Sequence, residues 1–379
     1  MAAMAAQQNV QIKDFLQGTR RDRALGPTVA IPINGGTATA NLLQNGLTTR
    51  LRLKIVLQAT TNTTAPAWGN SLEQALSWIK NITIKNSQGL TVMNISGYGL
   101  RMLLAKTKRS YDFLSAPGTA VALPGVSSAF VWAFVIPLDI SFNESLQYQL
   151  GLIYTMTSTA QWSVNVTFDA LANIITATTL SAITAQMSVS QEWYEKPSDT
   201  PSERYTAPDM SYANIIDEQV VTAGLPSAGN FEYELSPLNG EQIRLLSQYV
   251  YGAGPASYAG AAKTNGLVNP AGGTAFISQA YLKIATNINA ETHDPFVDDA
   301  DYYRTYGSTP FPGEIVHLDG ATAMGYPNEF MRPYYVYQQL NAAAVPSVKL
   351  GAALNANGAA WAYYRVVRNY AQKISYQNY

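Results

Sequence analysis

The sequence contains no cysteine and only two histidines, His293 and His317. The absence of cysteine excludes disulfides, thiolate zinc sites, iron–sulfur clusters and cysteine nucleophiles together. Two histidines are too few for a histidine-rich metal centre or a proton-relay network. Because no covalent cross-link is available, a chain of this size must gain its stability from packing or from association with other chains.

Charged residues are also scarce. Asp, Glu, Lys and Arg make up 13% of the chain, against roughly 25% in a typical soluble domain. The formal net charge is −1, whereas proteins that grip nucleic-acid phosphates need a surplus of Lys and Arg. We therefore expect no direct sequence-specific binding of nucleic acid.

Apolar residues are abundant, at 47% of the 379 residues, and aromatic residues contribute 11%. This composition supports large hydrophobic cores and excludes a disordered chain. The length predicts two domains, at about 150 residues per domain. The N-terminal residues show no secretory signal. Residues 170–190 carry no charge but are rich in Thr, Ser and Gln, which favours strands with turns over a membrane-spanning helix.

Alternating apolar and polar residues predict β-strands along most of the chain. In the first half they occur at residues 51–57, 79–85, 129–136, 147–154, 161–168 and 187–194. In the second half they occur at residues 230–235, 280–286, 334–337 and 361–367. The run at 129–136 is apolar on both faces, which is typical of a central strand. Helices are predicted only at residues 98–106 and 240–248.

Polar, proline-rich and glycine-rich segments predict the domain organisation of the chain. Residues 1–26 form a polar N-terminal arm with a basic cluster, interpreted as a short docking helix or as a solvated terminus. Residues 196–207 contain two prolines and few apolar residues, so they predict a linker. The linker separates a first domain, 27–195, from a second domain, 208–379. Long loops rich in Gly, Ala and Asn are predicted at 252–273 and 341–358.

A search for catalytic motifs finds no G-x-S-x-G, P-loop, G-x-G-x-x-G or H-E-x-x-H sequence. Glu232 and Glu234 would share one face of a strand, and solvent-facing glutamates are favoured there over a catalytic pair. The acidic run 293–301 offers weak candidate metal ligands at Asp294, Asp298, Asp299 and Asp301. A hydrated acidic loop or an inter-subunit salt bridge is favoured there over a bound metal. A structural or binding protein is therefore favoured over an enzyme.

The chain contains 24 tyrosines, many of them in clusters towards its C-terminus. Tyrosine combines a large apolar ring with one polar tip, which suits extensive and partly wet contacts between subunits. Packing of these rings on the cores must account for many of them. The tyrosine content therefore favours self-association without proving it.

The order of these elements resembles that of the double jelly-roll major capsid proteins of tectivirus-like viruses, which are tailless, icosahedral and enclose an internal membrane. The similar order runs through the strand and turn at 78–92, the helix at 98–106, the strand at 129–136, the strands at 162–168 and 187–194, the linker, and residues 208–251. The resemblance covers about residues 30–370 as a pattern, and no short motif carries it.

The resemblance implies an all-β fold of two tandem eight-stranded jelly-roll sandwiches with short inserted helices and long loops. It implies a homotrimer that forms a pseudo-hexagonal capsomer, and a structural protein with no catalytic residues and no cofactor. Expected partners are neighbouring capsomers, minor capsid proteins, vertex proteins and, for the N-terminal arm, the inner viral membrane. The protein would be made in the host cytoplasm and would reside in the virion shell.

Two alternatives from other classes stay open at this point. Strand alternation, abundant tyrosine and the aromatic residue Tyr379 are also found in outer-membrane β-barrels. A carbohydrate-binding β-sandwich would use exposed tryptophan or tyrosine rings as platforms for sugars.

Overall fold

The structure of the chain is a computed structural model. It describes residues 11–14, 21–61, 76, 78–106, 129–138, 153–156, 161–174, 180–195, 200, 202–206, 214–221, 229–235, 241–251, 277–284, 287–289, 314–319, 348–354 and 360–369. These segments are mostly strands, with two short helices, α1 (Gly97–Lys106) and α2 (Leu171–Ile174). The predicted all-β class with short inserted helices is confirmed.

The strands of the first half are β1 (Gln11–Asp14), β2 (Arg21–Leu25), β3 (Val29–Ala30), β4 (Asn34–Asn41), β5 (Leu47–Thr61), β6 (Ile79–Asn86), β7 (Thr91–Ile95), β8 (Ala129–Pro137), β9 (Ile153–Tyr154), β10 (Trp162–Ala170) and β11 (Leu180–Tyr194). The remaining strands are β12 (Glu203–Thr206), β13 (Asn214–Val221), β14 (Gly229–Glu234), β15 (Glu241–Tyr251), β16 (Ile277–Ile284), β17 (Asn287–Asn289), β18 (Glu314–Asp319), β19 (Val348–Leu354) and β20 (Ala360–Asn369).

The described strands form two sandwiches. In the first half, the layer β4, β10, β6 and β7 faces the layer β2, β11, β5 and β8, which β3 and β9 extend. In the second half, the layer β13, β20, β15 and β18 faces the layer β14, β19, β16 and β17. Counted along these main paths of the described strands, each half contains the eight strands that were expected.

Alternation along β5 explains how the first core forms. Leu51, Leu53 and Ile55 are buried, and Arg52 and Lys54 point to the other face because successive side chains of a strand alternate. Strand β5 pairs with β11 on one side and with β8 on the other, both antiparallel. The facing layer contributes buried residues of β6 and β10 to the same cluster, namely Ile82, Ile84, Val164 and Val166.

The two sandwiches are joined edge to edge. Strand β7 of the first half pairs in parallel with β13 of the second, with Met93 opposite Ile216 and Asn94 opposite Asp217. One sheet therefore runs through both halves in the order β18-β15-β20-β13-β7-β6-β10-β4. A parallel pair at this position links two units that lie more than a hundred residues apart in sequence.

Strand β13 and its neighbour β20 contribute to both cores. In their antiparallel register Ile216 lies opposite Val366 and Gln219 lies opposite Tyr363, so the two pairs project from opposite faces. Ile216 belongs to the hydrophobic cluster of the first half. The Tyr363 ring packs against Tyr233 of β14, with centroids 5.5 Å apart. The sheet thus offers one face to each core at the junction.

The predicted loop at 341–358 is wrong in its central part, because β19 lies between β14 and β16. The small residues of this segment suggested a loop, but close packing around β19 requires a small residue at position 351. Gly351 lies under the ring of Tyr281, where an added Cβ atom would overlap the ring carbons. From the facing layer, Gln248 Nε2 donates to the backbone oxygen of Gly351 at 3.2 Å. Because Gly351 has no side chain, the Tyr281 ring and the Gln248 amide can both approach its backbone.

The helix predicted at residues 240–248 is also wrong, since Glu241–Tyr251 is strand β15, between β18 and β20. Residues 245–249 are all buried. A strand that is covered on both faces has no alternation, so periodicity alone cannot separate it from a buried helix. Good helix formers then favoured the incorrect assignment.

Part of the predicted N-terminal arm, 1–26, belongs to sheets. Strand β2 pairs with β11 and is neither the short helix nor the solvated terminus that was considered. Strand β1 pairs in parallel with β12, which lies inside the predicted linker 196–207. Lys13 Nζ lies 2.5 Å from Glu203 Oε1 across this pair. Sequence patterns within either segment could not reveal the pairing, and the domain boundaries themselves stay predictions.

The other predicted elements mostly agree with the structure. The helix at 98–106 and the strand at 129–136 are confirmed, but β8 ends the described path of its sheet instead of lying at its centre. Val131 of β8 is consequently 64% exposed. Only the end of the run 147–154 is described, as β9. The strand predicted at 334–337 and the loop predicted at 252–273 lie outside the described residues.

Strands with turns were predicted for residues 170–190, and β11 confirms a strand there, whereas Leu171–Ile174 forms the short helix α2. Within the described residues, no helix combines the length and the apolar composition that crossing a membrane requires.

Replacing Gly351 by alanine should lower the free energy of unfolding by about 1–3 kcal/mol, because the new methyl group overlaps the Tyr281 ring and must displace it. Denaturant melts would measure this cost in the wild type and in a Tyr281→Ala background. We expect the cost of alanine at 351 to disappear in that background. An equal cost in both would show that the ring is not the cause.

Candidate functional site

The proposed metal ligands Asp294, Asp298, Asp299 and Asp301 lie outside the described residues. Among the residues that are described, no group of three or more histidine, aspartate or glutamate side chains is placed to hold a metal ion. The metal hypothesis therefore stays a prediction.

Glu232 and Glu234 lie on one exposed face of β14, as predicted. Tyr281 Oη donates to Glu232 Oε1 at 2.9 Å, and Lys283 Nζ lies 3.5 Å from the same oxygen. The bond from Tyr281 and the nearby lysines lower the pKa of Glu232. This carboxylate is held ionised by cross-strand partners, which suits a structural contact and not the proton donor that glycoside hydrolysis needs.

Glu218 of β13 is a buried carboxyl group that binds the first turn of helix α1, in the other half of the chain. Ser96 caps this helix, because its Oγ accepts the N–H of Gly99 at 3.0 Å and its carbonyl accepts the N–H of Leu100 at 2.9 Å. The backbone N–H of Ser96 and its hydroxyl both donate to Glu218, the hydroxyl at 2.9 Å. Tyr249 Oη of β15 donates to the same carboxyl group.

This arrangement is a capping box built from distant residues. In the ordinary motif, a glutamate at the third helical position reaches back to the N–H of the capping residue. That position holds Gly99 here, and Glu218 supplies the carboxyl group from another strand. An added Cβ at residue 99 would lie 2.6 Å from Glu218 Oε1. Glycine at this position therefore makes room for the long-range partner.

Burial raises the pKa of Glu218 from its ordinary value of 4.5 to about 7. The hydrogen bonds from Ser96 lower this pKa by less, and the negative charge of Asp217 raises it further. Because the folded-state pKa lies above the unfolded value, the folded protein binds more protons between these two pH values. The stability from this group is fully present below pH 4.5 and falls as the pH rises to about 7.

Glu192 of β11 forms ion pairs with three arginines from two neighbouring strands. Arg23 Nε donates to Glu192 Oε1 at 2.8 Å, and Arg52 Nη1 donates to the same oxygen at 2.5 Å. Arg21 donates to the other oxygen, Oε2. The carboxylate is 1% exposed. Strand β2, which carries Arg21 and Arg23, is thereby fastened to the edge of its sheet.

Burial opposes ionisation of Glu192, but the bonds from Arg21, Arg52 and Arg23 outweigh it and lower its pKa to about 2. The folded-state pKa therefore lies below the ordinary value of 4.5. The stability from this group is fully present above pH 4.5 and is lost as the pH falls towards about 2. The cluster is thus stabilising at neutral pH.

The outer face of the layer β2, β11, β5 and β8 is strongly basic. Glu192 lies opposite Arg23 on one side and opposite Arg50 on the other, so these residues share a face. The charged residues of this basic face, as we call it, are Arg21, Arg23, Arg50, Arg52, Lys54 and Glu192. Five cations against one carboxylate leave a net charge of +4 on the described part of the face.

The outer face of the other first-half layer differs in character. A row of short polar side chains crosses it, in which Thr39 donates to Asn165 at 2.7 Å and Asn81 donates to Asn94 at 2.9 Å. Lys85 of β6 is an exposed cation on this face. The two outer faces of the first sandwich therefore differ in charge density.

The tryptophan side chains that the structure describes are buried, so none of these four rings is a surface platform for a sugar. Trp78 and Trp162 are buried in the first core, and Trp132 and Trp193 are buried as well. Trp78 Nε1 donates to the backbone oxygen of Asp169 at 2.9 Å. These rings serve the packing of the first sandwich.

Sequence reasoning missed Glu192 and Glu218. Neither lies in a motif, and each gains its role from residues far away in the chain. One usable signal was Ser96 at the start of a predicted helix with glycine instead of glutamate three residues later. Serine is a preferred residue at the N-cap of a helix, so Ser96 could have suggested a cap, whereas no local pattern pointed to Glu218.

The class of fold is the double jelly roll, in which two jelly-roll sandwiches follow one another in one chain. The chain is similar to the major capsid protein of Sulfolobus turreted icosahedral virus, with 12% identity and a TM-score of 0.62 over 95% of this chain and 100% of that chain. It is similar to the PBCV-1 virus capsid protein, with 12% identity and a TM-score of 0.62 over 92% and 94% of the two chains.

The major capsid protein P2 of bacteriophage PM2 is also similar, with 10% identity and a TM-score of 0.55 over 93% of this chain and 99% of that chain. No protein-family model matches the sequence, and no curated protein matches it. At these identities the likeness is one of fold, and it confirms the fold that the resemblance in sequence implied. These neighbours are capsid proteins.

Replacing Glu218 by glutamine should raise the free energy of unfolding at pH 8 by on the order of 3 kcal/mol, because it removes a buried charge. Glutamine can accept the N–H of Ser96 and donate to the two hydroxyls. At pH 5 wild type and variant should be nearly equal. Thermal melts across this pH range provide the measurement, with exposed Glu234→Gln as a control that keeps the wild-type profile. A Glu218→Gln protein less stable than wild type at pH 8 would contradict the assignment.

Replacing Glu192 by glutamine should lower the free energy of unfolding at pH 7 by about 2 kcal/mol, because three arginines lose their common partner but stay partly hydrated. Glu203→Gln removes an exposed, solvent-screened pair and should cost much less. Denaturant melts would compare the two variants. The difference should shrink as the pH falls towards 2, and equal costs at pH 7 would argue against the cluster.

Proposed function

We propose that the chain is a structural major capsid protein, and that three copies form a pseudo-hexagonal capsomer of an icosahedral virus shell around an internal membrane. The observation that carries this proposal is the continuous eight-stranded sheet that joins two sandwiches into one unit. The fold likeness to capsid proteins, over 92–95% of this chain, supports it.

The geometry of the unit suits a tile. Two similar sandwiches in each chain become six blocks in a trimer, so a three-fold assembly approximates a hexagon. The two sandwiches must then keep a fixed mutual position. The parallel pair of β7 and β13, the hydrogen bonds of Glu218 and a cluster that includes Leu245 and Tyr249 with first-half residues all support a rigid junction.

The proposed partners follow from the same picture. Neighbouring capsomers, minor capsid proteins and vertex proteins would contact the lateral faces and the loops, including residues 252–273. The N-terminal segment would contact the inner membrane or a neighbouring tile, and Ile12 of β1 is 72% exposed as such a contact requires. We propose a location in the virion shell after synthesis in the host cytoplasm, with no sequence-specific contact to nucleic acid.

Purified chain should form a stable trimer with three times the monomer mass of 41.1 kDa, because the proposed capsomer contains three copies of the two-sandwich unit. Mass photometry over a range of dilutions would measure the mass. Electron microscopy should show pseudo-hexagonal particles or tiles. A chain that stays monomeric at high concentration and forms no tiles would overturn the proposed function.

A further inference from the structure

The two halves of this near-neutral chain carry net charges of opposite sign. Residues 1–195 contain thirteen Lys and Arg against nine Asp and Glu, a net charge of +4. Residues 208–379 contain nine against fourteen, a net charge of −5, and residues 196–207 are neutral. The overall charge of −1 therefore conceals two oppositely charged units.

The positive charge of the first half is concentrated at the basic face. Three of its arginines are held by Glu192 and still keep 30–59% of their side-chain surface exposed. Guanidinium groups fixed in this way are oriented in advance for a second carboxylate. Lys54 is exposed on β5 next to them.

An apolar strip lies beside these charges on the same face. Val131 of β8 lies opposite Gln58 of β5, and Val135 lies opposite Lys54. Val131 is 64% exposed, and β8 ends the described path of its sheet. Exposed apolar side chains at the end of a sheet mark a contact surface. The face therefore combines apolar area with a surplus of positive charge.

We propose that the basic face of one copy binds the acidic second half of the next copy, so that copies associate head to tail and close into a ring. This inference rests on the proposed capsomer and specifies what joins its subunits. A contact between two different surfaces of one chain generates a ring when its rotation closes. Two basic faces would repel each other, so the charges also select the orientation of the contact.

A second copy fits this face better than a lipid surface or a nucleic acid. Every copy carries both members of the charge pair, in nearly equal amounts, so association neutralises both. Arginines held in one geometry by Glu192 suit carboxylates at fixed positions more than mobile headgroups. The densest acidic run of the second half, residues 291–301, contains five acidic residues and no Lys or Arg. This run lies outside the described residues, and its charge makes it the probe for the acidic partner.

The test reverses one charge on each outer face of the first sandwich. Lys54→Glu on the basic face should weaken self-association of the full chain by about tenfold. Lys85→Glu, the same change on the other layer, should leave it within about twofold. Dilution series by mass photometry would give both values. The difference should shrink between about 0.05 and 0.5 M NaCl, since salt screens such contacts, and circular dichroism melts would show that both variants fold.

A charge-swapped partner completes the test. Asp298→Lys with Asp299→Lys should weaken association alone and should restore part of it when combined with Lys54→Glu. If wild type associates but Lys54→Glu and Lys85→Glu behave alike, this inference fails and the proposed function stands. If wild type stays monomeric, the proposed function fails first. If Lys54→Glu loses only its binding to phosphatidylserine vesicles, the face is a lipid surface and the inference is overturned.

Discussion

The contact between Glu218 and the first turn of helix α1 is the constraint on which the two-sandwich unit depends. A helix start has backbone N–H groups that need acceptors, and Ser96 satisfies only one of them within its own segment. The second half of the chain supplies the other acceptor from a strand that also pairs with β7. The helix cap of the first sandwich is therefore complete only when the second sandwich has folded against it. This requirement couples the two units.

Placing a carboxyl group in that position has a cost, because burial disfavours its ionised form. The structure offsets the cost with three donors to one group, from Ser96 and Tyr249. The Glu192 carboxyl group is also buried, but hydrogen bonds from three arginines favour its ionised form. Both carboxyl groups tie together segments that are distant in sequence. In a chain without cysteine, these polar ties take the place that disulfides occupy in other proteins.

Predictions from the sequence succeeded where one face of an element meets solvent. The alternation at 51–57 and 79–85 identified β5 and β6, and the helix at 98–106 was found from its residue types. They failed at β15 and β19, for different reasons. At β15, burial of both faces removes the alternation of apolar and polar residues. At β19, the glycine that packs under Tyr281 is a residue type that is common in loops, so the sequence favoured a loop there. Of the candidate site, neither Ser96 nor its partner Glu218 was predicted, because the contact joins segments 122 residues apart.

The sequence by itself determined that the protein is all-β and is built in two halves, because strand period and turn residues are local properties. Only the tertiary structure decided that the halves share one sheet, that Glu218 caps a helix of the other half and that five cations gather on one face. These features depend on pairing between segments up to about two hundred residues apart. Register between distant strands is set by packing and by specific hydrogen bonds, which no local pattern encodes.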